Sequence, residues 1–208
     1  MKNLVSLEGL PHTGRDKVIR HLASKTEDIA VLDVPIASAA ANGGTWTAAA
    51  SQANYALFSS LLHKLRKVAS AKEPVSLLTT PWFEHMPRHP AIWNLVASAT
   101  RALVDAYGID VSAHIMVLLH TPHDETFEQL VCSGNPFWNS TSLADVQFEQ
   151  IHIAQMMHDV ASRHPFPCVA YTIHCPPFFE ENEVIVNSIV SDIQKIVKAV
   201  NAPFNETV

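Results

Sequence analysis

Gly9 and Gly14 stand at the junction of an apolar run and a helical one, in Leu4-Val5-Ser6-Leu7-Glu8-Gly9-Leu10-Pro11-His12-Thr13-Gly14-Arg15-Asp16. Glycines at this spacing suit a loop that wraps a phosphate. They let backbone N–H groups turn inward, and the helix that follows adds the positive end of its dipole. Phosphoryl transfer asks for more: a lysine on the β- and γ-phosphates and a Ser or Thr hydroxyl on magnesium. Here the two positions after Gly14 are Arg15 and Asp16. Arg15 keeps a positive charge in a bulkier, planar form. Asp16 sets a carboxylate where phosphate oxygens would lie, and two like charges ~4 Å apart repel by ~1–4 kcal/mol in a wet site. Lys17 carries a further charge, one helical position away.

Twelve histidines invite a metal reading. His120 and His123 lie three apart after an apolar run, and His152 and His158 share one helical stretch. Neither pair has the two-His-plus-Glu pattern of a zinc hydrolase, so surface and capping roles are expected and no metal site is. Cys132, Cys168 and Cys175 form no paired framework, which points to reduced thiols inside a cell. Cys168 and Cys175 flank a strand and read as buried hydrophobes. Trp82 and Phe83 either stack on a nucleobase or pack a loop onto the core. Phe137 and Trp138 either form an exposed patch for a protein partner or fold down onto the chain.

The elements that position these residues alternate. Apolar runs at 3–9, 29–35, 74–81, 113–122 and 167–174 read as strands. Helical spacing occupies 15–25, 47–70, 91–108, 124–134, 143–164 and 182–200. Val18, Ile19 and Leu22 share one face of the first helix, and Gly108 suits the end of the third. Continuous apolar strands alternating with helices mean a parallel sheet covered on both faces, with ligands beyond the carboxyl ends of the strands. The expected fold is one three-layer α/β domain over residues 1–208, with a five-stranded parallel sheet.

Of the 208 residues, 48% are hydrophobic and 16% charged, which is globular and argues against disorder. A net charge of −6 gives no electrostatic reason to expect nucleic acid as a partner. No apolar run reaches the ~20 residues that span a bilayer, and residues 1–8 contain no signal-peptide core, so neither membrane nor secretion is expected.

In this order, the loop and two further stretches resemble the deoxynucleoside kinases, which are related to thymidylate kinases. Val5-Ser6-Leu7-Glu8-Gly9-Leu10-Pro11-His12-Thr13-Gly14 is similar to that family's first strand and phosphate loop. Residues 51–65 resemble its helix with a Gln and a Tyr on the nucleoside, which would be Gln52 and Tyr55. Residues 148–160 resemble the helix after its lid. The resemblance implies a nucleoside-kinase fold of the phosphate-loop class. It also implies that Asp33, after the second strand, is the candidate general base toward a sugar hydroxyl; the stacking role open to Trp82 would place it at the nucleoside.

The departures from the family concern its cations. The third strand leads into Thr79-Thr80-Pro81, where the family has an arginine motif, and Glu84 and Arg88 follow out of register. No Lys or Arg occurs between Arg101 and Arg163, which includes the lid. Phosphoryl transfer is catalysed by positioning and by cations around the moving phosphate, and losing one can cost on the order of 10³–10⁵ in rate. Two expectations follow. The first is a chain that keeps the kinase fold without its chemistry, requires no cofactor, and works through a protein partner or a homodimer, including as a component of a large or viral particle. The second is an active kinase, with ATP and Mg as cofactors, Asp33 as base and Arg15 at the phosphates.

Overall fold

The computed structural model describes residues 2–10, 14–26, 28–32, 61–79, 82, 90–132, 142–161, 164 and 166–201. Its strands are β1 (Asn3–Glu8), β2 (Ile29–Leu32), β3 (Val75–Leu78), β4 (Ala113–His120) and β5 (Cys168–His174). They form one sheet in the order β2-β3-β1-β4-β5, and every pair is parallel. All the carboxyl ends therefore lie along one edge, and β1 sits at the centre. This is the five-stranded parallel sheet that the sequence predicts.

The helices are α1 (Arg15–Lys25), α2 (residues 61–70), α3 (Pro90–Tyr107), α4 (His123–Cys132), α5 (Leu143–Ala161) and α6 (Glu183–Asn201). A short 3-10 turn, Phe179–Glu181, precedes α6. On one face of the sheet, Leu4, Leu78, Met116 and Leu118 pack with Leu61, Leu65 and Val68 of α2, Val104 of α3, and Met156 and Met157 of α5. On the other, Val5, Leu7, Ile115 and Val117 pack with Val18, Ile19 and Leu22 of α1 and with Val186, Ile189, Val190 and Ile193 of α6. Strand alternation sends successive side chains to opposite faces, so a strand covered on both sides buries nearly every side chain and is mostly apolar. Each such side chain, fully buried, contributes roughly 1.5–3 kcal/mol.

Two helix ends show how local chemistry sets the boundaries. α3 stops at Gly108, which has φ 58. There the Ile109 N–H bonds Val104 O and the Gly108 N–H bonds Asp105 O. This paired closure needs a left-handed residue, which glycine supplies without a Cβ clash. The helix expected over 143–164 is described as Leu143–Ala161, and His164 is not helical. His164 precedes Pro165, and a residue before proline is pushed out of helical backbone.

Candidate functional site

The carboxyl edge of β1 leads through Glu8 to Gly9, which has φ 138. The loop re-enters the described chain at Gly14, the N-cap of α1, with φ 75. Gly14 O accepts the N–H groups of Lys17 and Val18. A Cβ at Gly14 would stand 2.7 Å from Phe179 Cζ. Glycine is therefore required here twice, by the backbone angle and by the ring packed on it. The sequence identifies both glycines, but it contains no signal that Phe179, 165 residues later, closes on the second.

The charged groups around α1 largely face one another. Lys17 Nζ donates to Glu180 O at 2.6 Å and lies 2.6 Å from Glu183 Oε1. His21 Nε2 is 3.4 Å from the second Glu183 oxygen. The hydrogen bond from Lys17 holds the Glu183 carboxyl below the usual range, helped by the charges of Lys17, His21 and Lys25. Arg15 is buried, with Nε 3.6 Å from Asp16 Oδ1, while the Asp16 side chain is 81% exposed. Arg15 Nε has no hydrogen-bond partner among the described residues. Gln129 Nε2 donates to Glu180 Oε1. Arg15, Asp16, Lys17, Gln129 and Glu180 line a cleft of about 420 Å³ between α1, α4 and the 3-10 turn, with Gly14 and Phe178 at its wall. The cleft thus holds basic Arg15, Lys17 and Arg20 together with acidic Asp16, Glu180 and Glu181.

Beneath the loop, on the α2–α3–α5 face, lies a buried polar layer. Ser6 Oγ donates to Glu8 Oε1 at 2.5 Å and is 2.9 Å from His114 Nε2. His114 Nδ1 is 3.2 Å from His164 Nε2. The Phe166 N–H donates to His164 Nδ1 at 3.3 Å, and the Trp82 N–H donates to Glu8 Oε1 at 2.9 Å. The two backbone donors fix the direction of every bond between them. His164 Nδ1 accepts, so neutral His164 carries its proton on Nε2 and donates to His114 Nδ1. His114 then carries its proton on Nε2 and donates to Ser6, whose hydroxyl donates to Glu8. Burial makes both rings neutral. It pushes His164 down to about 3, and it lowers His114 well below 6.5 with help from the charges of His164 and Lys64. Trp82 is 2% exposed, edge-on to His114 and tilted against His164, with Lys64 Nζ 6.0 Å from its ring.

Trp82 therefore packs in the core. Asp33, Gln52, Tyr55, Phe83, Glu84, Arg88, Phe137 and Trp138 lie outside the described residues. Thr79 directs both its N–H and its hydroxyl to Leu32 O. His120 and His123 do come together at the ends of β4 and α4, with His174 of β5 beside them and ring centroids 5.2–5.7 Å apart. Burial lowers the His120 pKa first, and the charges of His174 and His123 lower it further. Cys175 is buried, Cys168 is partly buried and Cys132 is exposed. Among the described residues, no helix is long and apolar enough to cross a membrane.

No protein family model matches the chain, and neither does any curated protein. Solved structures do. A shikimate kinase from Bacteroides thetaiotaomicron is 13% identical with a TM-score of 0.53, over 94% of this chain and 98% of that one. A deoxyadenosine kinase from M. mycoides, solved with dCMP and a flexible dCDP, is 10% identical with a TM-score of 0.54, over 94% and 99%. At these identities the likeness is one of architecture, and it establishes that the chain has the α/β fold of the phosphate-loop kinases.

Proposed function

We propose that the chain is a nucleoside-kinase-like protein that has given up phosphoryl transfer and serves as a structural or protein-interaction component. The observation that carries this reading is the fate of Lys17. It is the lysine nearest the loop, and its ammonium is held by the Glu183 carboxylate and the Glu180 carbonyl. Acidic Asp16, Glu180 and Glu181 share the cleft in which phosphates would need cations. A phosphate there would meet these three acids along with Arg15, Lys17 and Arg20, so the cleft offers no excess of cations, and phosphoryl transfer has little besides cations to lower its barrier. The absence of Lys and Arg between Arg101 and Arg163 extends the deficit to the lid. A fold kept without its reaction serves as a building block, in a homodimer or in a larger particle, a viral one included. The test is phosphoryl transfer from labelled ATP to thymidine, deoxycytidine and deoxyadenosine, with sedimentation of the same sample. Background-level transfer by a chain that self-associates supports the reading. Transfer above background by a monomer removes it.

One observation favours the second reading, an active kinase. Arg15 Nε is buried without a hydrogen-bond partner among the described residues, and a phosphate oxygen would satisfy it. On that reading Arg15 binds phosphate, Asp33 takes the sugar hydroxyl proton, and Asp33→Asn abolishes turnover while ATP binding persists.

A further inference from the structure

We propose that His114, His164 and Cys168 form a binding site for a thiophilic transition-metal ion, within the core and separate from the phosphate loop. One ligand atom from each of the three lies within 4.8 Å of the others. His114 sits on β4, Cys168 opens β5, and His164 stands four residues before Cys168 in sequence. Neighbouring parallel strands and the approach to β5 thus bring together two imidazoles and a thiol. Softness is set by the donors: thiolate and imidazole select zinc or copper over magnesium or calcium.

The two imidazole nitrogens stand close to the spacing an ion requires. With metal–nitrogen bonds of about 2.0–2.1 Å, two nitrogens on a tetrahedral ion stand about 3.3–3.4 Å apart. His114 Nδ1 and His164 Nε2 are 3.2 Å apart. His114 is already in the ligating tautomer, because its Nε2 proton goes to Ser6 Oγ and leaves the Nδ1 lone pair for the ion. Ser6 in turn donates to Glu8. A metal-bound histidine braced in this way through its other nitrogen is held in orientation and made more basic.

Loading requires two proton movements. The His164 proton leaves Nε2 and is replaced by one on Nδ1, at the cost of the 3.3 Å bond from the Phe166 N–H. The Cys168 thiol loses its proton to solvent. Burial and the Glu8 charge push that thiol up to about 12, and a bound metal deprotonates a coordinating thiol outright. One proton is therefore released per ion.

The charges nearby decide which ion. The site would hold one thiolate, with the Glu8 carboxylate and the Lys64 ammonium acting on it. A monovalent ion brings that set to zero, whereas a divalent one leaves an uncompensated positive charge in a buried place. Three soft donors with no fourth among them also suit a monovalent, three-coordinate ion. The geometry therefore points to Cu(I) ahead of Zn(II).

The test uses the full chain, unfolded in guanidinium with chelator and reductant and refolded with Cu(I) or with Co(II) as a spectroscopic stand-in for Zn(II). Refolding removes any barrier to entry into the core. The expected result is one Cu(I) per chain after desalting, with a thiolate-to-metal absorption band. Cys168→Ser and His164→Gln abolish the band, and Cys132→Ser leaves it intact. Ser6→Ala, which keeps all three ligands, weakens binding about 10–100-fold. Circular dichroism shows which variants fold, and Ser6→Ala carries the test if the ligand variants do not. Co(II) uptake in place of Cu(I), with the same dependence on Cys168, moves the assignment to Zn(II) and overturns the charge argument. The absence of any thiolate band, or a band that survives Cys168→Ser, overturns the site.

Discussion

Lys17 Nζ of α1 lies 2.6 Å from Glu183 Oε1 of α6. The contact joins two helices from opposite ends of the chain on one face of the sheet, and it engages the first lysine after the loop. The folded-state pKa of Glu183 is depressed, so the contribution of this contact is present above the ordinary carboxylate pKa and is lost as pH falls through the lowered value. Glu183→Gln is therefore expected to lower stability slightly at neutral pH, because the carboxylate is exposed, and to match the parent below the lowered value, which makes its acid limb shallower. Thermal melts of the two proteins at neutral pH and in the carboxylate range measure this. A variant with an unchanged acid limb contradicts it.

Gly14 and Phe179 make a second, sterically sharper link. Gly14→Ala forces a Cβ onto a residue at φ 75 and within 2.7 Å of Phe179 Cζ. The backbone strain alone costs about 1–3 kcal/mol. Phe179→Ala, by emptying a fully buried site, costs about 3–5 kcal/mol. In the double variant the two costs are less than additive, because the truncated ring no longer meets the new methyl. Denaturant titrations of the four proteins give the coupling, and strict additivity would show that the ring does not press on Gly14.

His114 and His164 make stability depend on pH in a predictable direction. Both rings are neutral in the fold, and the unfolded chain takes up their protons near the ordinary histidine value of 6.5. Acid therefore favours the unfolded state. Stability declines as pH falls below about 6.5, by up to about 1.4 kcal/mol per pH unit for each ring. For His164 the decline continues to about 3. His164→Gln removes one of the two titrations, and its slope between pH 6.5 and pH 5 should be shallower than that of the parent. Equal slopes would mean that His164 is accessible to protons in the fold.

The sheet and its covering helices were legible in the sequence because burial and periodicity coincide there. β1, β3 and β4 are mostly apolar and buried along almost their whole length, and Val18, Ile19 and Leu22 mark the buried face of α1. The loop glycines were legible because their role is local. The polar layer was not. Ser6 and His114 are 108 residues apart in sequence, and His114 and His164 are 50 apart. They meet because β1 lies beside β4 and β4 beside β5, an order that no local pattern contains. The same holds for Glu180 and Glu183. Their place beside Lys17 follows from the packing of α6 beside α1.

Calorimetric titration of Mg-ATP into the purified chain tests the central claim most directly. The account predicts no saturable binding at millimolar ligand, because Lys17 is held by Glu183 and acidic side chains share the cleft. Micromolar binding that Arg15→Ala abolishes would contradict it, and would show that the loop still holds phosphate.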